Sequence, residues 1–406
     1  MALLGMDVVP VKIDGLPDPL HAIDGTPVTS LSEWTDFRRD EIRELFQYYV
    51  YGYYPDTPEL VFTTITEDPD ALLGIASYRE IEITFNRDDQ FLDQVMTLAM
   101  FLPTGVERPP VFITINRCGN HSLHHYEGIS FPTGGRVICS DTNENKRGRM
   151  VNFWSIEKIL NRGYAVVSFL DDELDRGGQY PDDDIHAALL DSSIANAPGP
   201  EAAWGMIAAW SWGFSRAIDY LDTIDDIDTD RIAIIGHSRR AKAAFLAGAF
   251  DDRIALTVSQ QGGTGAEALN RGSFLQEPVF LMNRMYPTWF NSVYQSFNFR
   301  IRSLPIDQHQ LMALIAPRAF VVTAASDYLW AGPRSSFRAM EAINPVYDLY
   351  GLDGVVGIKP LSPETLDLPI GQLVQIKDKG HHLSPVWWDS ILAIADRYLM
   401  TPDGPG

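Results

Sequence analysis

Short apolar runs alternate with longer amphipathic stretches along most of the chain. Val111–Asn116 (VFITIN), Tyr164–Leu170 (YAVVSFL), Arg231–Gly236 (RIAIIG), Ile254–Ser259 (IALTVS), Ala319–Thr323 (AFVVT) and Leu373–Ile376 are β-branched runs without polar alternation. That pattern predicts strands covered on both faces. Upstream, Ile81–Phe85 and Gln94–Leu102 flank a polar Asn-Arg-Asp-Asp turn and predict an antiparallel pair. Glu201–Leu221 places Ile207, Trp210, Phe214, Ala217, Ile218 and Leu221 at helical spacing. Ser384-Pro385 predicts the start of the last helix, whose apolar stripe is Trp387, Ile391, Ile394, Ala395 and Tyr398. Helices between the later strands give an α/β chain: a doubly wound, mostly parallel sheet of about eight strands in a three-layer sandwich. The turn-rich residues 1–60 carry one aromatic helical patch near Asp36–Tyr53 and read as an N-terminal extension packing on a core built from 61–406. No repeat or low-complexity linker interrupts the pattern, so a single domain is favoured over two.

Composition narrows the function. The 406 residues are 45% hydrophobic and 21% charged, which excludes a disordered or fibrous chain. Asp and Glu number 54 against 32 Lys and Arg, a net charge of −22. Such a chain repels nucleic acid and anionic membranes, both polyanions. No apolar run approaches the roughly 18–20 residues of a membrane span. The first residues lack a basic and then apolar signal peptide, so either the protein stays in the cytoplasm or a leader has been removed. Cys118 and Cys139 are the only cysteines, too few for a Cys-based zinc motif. They read as two isolated thiols rather than one disulfide, although spacing does not decide it.

The most informative segment is Arg231-Ile-Ala-Ile-Ile-Gly-His-Ser-Arg-Arg-Ala-Lys242. A buried strand ends in Gly236-His237-Ser238 and an Ala-rich helix begins at once. This is the setting of a nucleophile elbow, where a serine hydroxyl stands above the strand ends at a helix N-terminus. Arg240 occupies the place of the usual second glycine, and Ser238 as a plain helix cap is the ordinary alternative. An elbow demands an acid after a later strand and then a histidine after the last one. Asp327 follows the strand Ala319–Thr323, and His381-His382 follow the last strand, so both demands are met.

Gly236-His-Ser-Arg-Arg-Ala-Lys242 resembles the G-C/H-S-R-x-G-K motif of the glucuronoyl esterases, carbohydrate esterase family 15. Arg117-Cys-Gly-Asn-His121, Trp204–Tyr220, Leu304–His309, Ala313–Arg318 and Leu329–Pro333 are similar to other segments of that family, so the resemblance spans roughly 100–400. It implies an α/β-hydrolase fold and a cofactor-free serine esterase. Such an enzyme cleaves the ester between 4-O-methyl-glucuronic acid of xylan and lignin alcohols. By register, Ser238 is the nucleophile, His381 rather than His382 the base, and Arg239 the oxyanion-binding arginine. Lys242, Trp330 and, by looser alignment, Glu277 fall at sugar-binding positions. The family's glycine before the lysine is Ala241 here. Many members carry a triad glutamate where this chain has Gln261, so the acid is assigned to Asp327. The resemblance also implies export to the periplasm or beyond, action on a glucuronoxylan or lignin-carbohydrate ester, and a monomer.

Other candidates carry less. Asn120-His121-Ser-Leu-His124-His125 lacks the accompanying ligands of a metal site, and the expectation is that no metal is bound. The acidic runs Asp182–His186 and Asp225–Asp230 lack a full calcium-loop pattern, and the second reads as a solvated turn. Two rival functions stand beside the glucuronoyl esterase. One is another carbohydrate or acetyl esterase with the same triad. The other is a non-catalytic carbohydrate-binding homologue, a reading motivated by Gln261.

Overall fold

The computed structural model describes residues 15–132, 146–176, 184–272, 275–325, 327–352, 371–376 and 380–400, without the side chains of 371–376. Nine strands form one sheet: β1 (Glu59–Asp70), β2 (Ala76–Arg87), β3 (Gln90–Pro103), β4 (Val111–Asn116), β5 (Ala165–Leu170), β6 (Ile232–His237), β7 (Ile254–Gln260), β8 (Ala319–Ala325) and β9 (Gly371–Ile376). Their order is β1-β2-β3-β5-β4-β6-β7-β8-β9. The first three pair antiparallel, β3 meets β5 antiparallel, and every pairing from β5 to β9 is parallel. This is an α/β-hydrolase sheet with one strand more than the sequence pattern shows.

The extra strand is β1. Its burial alternates along a polar sequence with Pro69 near its end, as suits an edge strand that faces water. The polar turn between β2 and β3 is tight because Asp88 (φ 53°) and Asp89 (φ 61°) both take left-handed backbone, the twist a two-residue hairpin needs. In the parallel half the apolar runs explain themselves. All side chains of β4, β5 and β8 are buried.

Two helices carry the sheet's centre. Met206–Leu221 buries every residue except Ser215 and Asp219, and begins later than the spacing from Glu201 suggests. Pro200–Ala202 form a separate short turn ahead of it. The Ala-rich helix Arg239–Phe250 is buried from Arg240 to Ala249, its small side chains letting it sit close to β6 and β7. The closing helix Pro385–Leu399 buries Trp387 and Trp388 completely. Ser384 stands at its N-cap, but its hydroxyl makes no capping bond.

The N-terminal helical segment reaches the core through Phe46, Tyr49 and Tyr51. Tyr51 donates its hydroxyl to the carbonyl of Gly265 at 3.1 Å. At Gly52 (φ 88°) a Cβ would lie 2.2 Å from the carbonyl oxygen of Ala203, so only glycine fits this crossing. Asn291 donates to the carbonyls of Gln47, Tyr48 and Val50, which braces the loop carrying Tyr286 and Trp289. Cys118 is disulfide-bonded, which overturns the reading of two isolated thiols. The other cysteine, Cys139, lies outside the described residues.

The elbow itself depends on Gly236. A Cβ there would stand 2.2 Å from the carbonyl oxygen of Arg240 and 2.7 Å from the nitrogen of Ala241. Both contacts are to backbone, so the helix must move. Gly236→Ala is therefore expected to cost about 2–3 kcal/mol, read as a lower urea midpoint. An unchanged midpoint would contradict this close seating.

Candidate active site

Ser238 is held at φ 58° and ψ −128°, a conformation L residues rarely adopt. Its N–H donates to the carbonyl of Gln260 at 2.9 Å, and its carbonyl accepts from Ala241 N–H at 2.9 Å. The strand thus turns sharply into the helix, and Ser238 occupies the helix N-cap with no side-chain capping bond. Its hydroxyl is left free to meet His381, whose Nε2 lies 2.9 Å away. The free N–H groups of a 12-residue helix point out of the same turn.

Arg240 explains why this elbow works without its second glycine. The side chain turns inward, pairs with the fully buried Asp171 just after β5, and packs 5.2 Å from the Trp210 ring centroid. Burial pushes Asp171's pKa up, against the pull of Arg240 and Arg239, and pushes Arg240's down.

The partner of the other ring nitrogen is Gln261. His381 Nδ1 lies 2.7 Å from Gln261 Oε1. Gln261 Nε2 donates to the carbonyl of Gly380 at 3.0 Å, which settles which end of the amide faces the ring. Nδ1 therefore carries the proton, and Nε2 offers its lone pair to Ser238. Gln261 can reach both groups because it sits at φ 56°, turning back from the end of β7.

Asp327 does not take the place assigned to it. Its carboxylate accepts the N–H of Gly380 at 3.0 and 3.2 Å, the residue before His381, and makes no contact with the ring. The turn after β8 aims it at the backbone of the histidine loop. Gly380 is thus gripped on both sides, its N–H by Asp327 and its carbonyl by Gln261. Gln260 Nε2 adds a bond to the carbonyl of His382 at 3.3 Å, while His382 itself faces solvent. The next carboxylate after Gln261, the buried Glu267, is turned away: it accepts from Ser259 Oγ and Gly263 N–H.

His381's surroundings favour the neutral ring. Burial, then the charge of Lys242, push its pKa down to about 4, against an opposing pull from Glu277. Tyr328 stacks on the imidazole at 4.1 Å and 17°. His237 lies 4.7 Å from it at 36°, its own pKa pushed well below the usual range by burial.

Lys242, one turn along the helix from Ser238, is 2% exposed. Its ammonium donates to the carbonyl of Gly262 at 2.8 Å, to the carbonyl of Thr264, and to Glu277 Oε2 at 3.0 Å. Glu277 is fixed in turn by backbone bonds to Trp330 and Thr264. Trp330 is 40% exposed. Arg239 lies over Tyr286 and Trp289, two rings stacked 4.0 Å apart at 5°. All of these line one open cleft of about 520 Å³ with Ser238 and His381. Tyr286, Trp289 and Tyr328 carried no motif in the sequence; only their clustering around Trp330 marks them.

The remaining candidates find other partners. His124 bridges Glu157 at 2.9 Å and the N–H of Tyr126 at 3.0 Å. Asp175, Asp184 and His186 come together at a spacing a metal could use. His186, however, meets Asp175 through Nδ1 (2.5 Å) and the carbonyl of Trp204 through Nε2 (2.9 Å), so no ring lone pair is left for an ion. Asp182 and Asp183 lie outside the described residues. In the second acidic run, Asp226 pairs with Arg79, and Asp228 with Arg231 at 2.7 Å, tying the turn to its surroundings.

Comparison with known proteins follows the same lines. A family model described as "Glucuronyl esterase, fungi" matches residues 196–351. A carbohydrate esterase, MZ0003, from an unknown prokaryotic organism is 36% identical over 95% of this chain and 89% of its own length. A 4-O-methyl-glucuronoyl methylesterase of Phanerochaete carnosa is 28% identical over 85% of this chain and 74% of its own. Among solved structures, a promiscuous CE15 esterase from the marine bacterial metagenome superposes with a TM-score of 0.81 at 34% identity, covering 96% of this chain and 98% of that one. The glucuronoyl esterase from Solibacter usitatus gives 0.82 at 29%, over 95% and 98%. With nearly its whole length aligned, a serine elbow and a histidine in contact, the chain belongs to carbohydrate esterase family 15, the glucuronoyl esterases, and is a carboxylic ester hydrolase.

Proposed function

We propose that the protein hydrolyses glucuronoyl esters, 4-O-methyl-glucuronic acid of xylan esterified to lignin-type alcohols, through an acyl-enzyme. The observation that carries this is the 2.9 Å contact between His381 Nε2 and Ser238 Oγ in a cleft that also holds the Lys242–Glu277 pair. Ser238 Oγ attacks the uronate carbonyl while its proton passes to Nε2. The oxyanion forms beside the helix N-terminus and the fixed cation of Arg239, where charge appears only in the transition state. Nε2 then returns the proton to the departing alkoxide, and water repeats the sequence to free the acid.

Around the reacting carbon, Lys242 and Glu277 supply a donor and acceptors for the sugar hydroxyls, and Trp330 an apolar face for the ring. Asp327 acts as a positioning residue, holding Gly380 and through it the histidine loop. A polymeric substrate of this kind is met outside the cell, and the disulfide at Cys118 fits an oxidising compartment. No helix among the described residues is long and apolar enough to cross a membrane.

Rates on a benzyl glucuronate ester and on a simple acetyl ester test the substrate class. The glucuronate ester is expected to lead in kcat/KM by at least ~100-fold, since sugar contacts left unmade by acetate cost that much. A lead for the acetyl ester would favour a general acetyl esterase. Ser238→Ala is expected to lower kcat by roughly 10⁴-fold or more. A wild type already silent on both esters, yet binding glucuronoxylan, would favour the non-catalytic homologue that the uncharged Gln261 suggests.

Burial and Lys242 set the acid limb of the pH profile. The base works only when neutral, so activity should fall as pH drops through about 4, not through the usual histidine range. Gln261→Glu puts an anion on Nδ1–H and raises the pKa of His381. Its acid limb is expected to move up by about one unit or more. An unmoved limb would show that position 261 does not face the ring in solution.

A further inference from the structure

The esterase reading leaves one need unmet: a serine hydrolase base turns positive in mid-reaction, and here Nδ1–H faces a neutral amide. Among the described residues, the groups facing the ring from each packed element are few. Lys242, on the elbow helix, repels the imidazolium; Glu277, in the long loop after β7, attracts it from a distance while paired to Lys242. His382, on its own loop, and His237, at the end of β6, add no negative charge. Asp327, after β8, directs its carboxylate to the N–H of Gly380 and makes no hydrogen bond to the ring.

What does lie against the ring is Tyr328. Its centroid is 4.1 Å from that of the imidazole and the planes differ by 17°, a face-on stack. The face of an aromatic ring carries negative quadrupole density and attracts a cation within about 6 Å of its centroid. Resting on the reading of Ser238 and His381 as nucleophile and base, we propose that Tyr328 is the positioning residue that stands in for the missing acid: Gln261 orients His381, and the face of Tyr328 steadies the charge the imidazole gains. The two duties a carboxylate would combine are divided between an amide and a ring. The division has a steric logic too. A carboxylate at 261 could not donate to the carbonyl of Gly380, and the loop would lose one of its two grips.

The stack places Tyr328 at the cleft wall, half-buried. Tyr328→Leu keeps apolar cover over His381 and removes the ring face; Tyr328→Phe keeps the face and removes the hydroxyl. The direct readout is the titration of His381 by NMR of ¹⁵N-histidine-labelled protein carrying Ser238→Ala, with His381→Gln assigning the resonance among the nine histidines. This needs no turnover, so it stands even if the esterase reading fails. Tyr328→Leu is expected to lower the pKa of His381 by roughly 0.5–1 unit, and Tyr328→Phe to keep it near the parent value. In the otherwise wild-type enzyme, kcat on the glucuronate ester at pH 7 should fall roughly 3- to 10-fold with Leu and recover with Phe. Tyr328→Met serves as a second test should the Leu variant not fold. An unchanged pKa in the Leu and Met variants overturns the proposal. So does a rise, which would mean the ring only excludes water. So does a Phe variant that shifts as far as Leu, which would assign the effect to the hydroxyl.

Discussion

The hydrogen bond between Gln261 and His381 fixes which ring nitrogen carries the proton, and that tautomer decides whether Ser238 has a base to give its proton to. The bond exists because three neighbouring parallel strands end side by side. β7 delivers Gln260 and Gln261, β8 delivers Asp327 and Tyr328, and the chain after β9 delivers Gly380 and His381. Each loop holds the next: Asp327 and Gln261 grip Gly380 from either side, and Tyr328 covers the imidazole. The site is an outcome of strand order, and the residues that touch the ring are far apart in sequence.

Charge at the site is arranged in two layers. Beneath the elbow, Arg240 and Asp171 neutralise one another out of reach of water, so an arginine is accommodated where a tight turn usually has glycine. In the cleft, Lys242 is satisfied by two carbonyls and Glu277, and its positive charge, with burial, keeps His381 neutral. A neutral base is ready to accept a proton; the cost is that its protonated form is poorly stabilised. Stacked aromatic surface around the cleft, from Tyr328 to the Tyr286–Trp289 pair under Arg239, is where that form and the guanidinium find their counterpart.

Much of this was legible along the chain. The elbow was legible because its parts are adjacent: a buried strand, Gly236, Ser238 and an Ala-rich helix, with the acid and histidine in the right chain order separating it from a plain helix cap. The histidine followed from strand order. The acid did not, because both Asp327 and Gln261 sit at strand ends and the choice turns on backbone angles. Positive φ at Gln261 bends it toward the ring, and the turn after β8 directs Asp327 to the backbone. β1 escaped notice because an edge strand need not be apolar. Tyr328 was hidden among many aromatic residues, whose ordinary place is a core. The bonding of Cys118 is a matter of distance, which spacing does not encode.

The central claim is that the hydroxyl of Ser238 is made nucleophilic by His381. Treating the protein with a fluorophosphonate and locating the adduct by mass spectrometry tests it most directly. The account expects a single adduct on Ser238, formed at least ~100-fold more slowly in His381→Ala, because general-base assistance is worth that much. An adduct on another residue, or labelling of Ser238 at the same rate without His381, would contradict it.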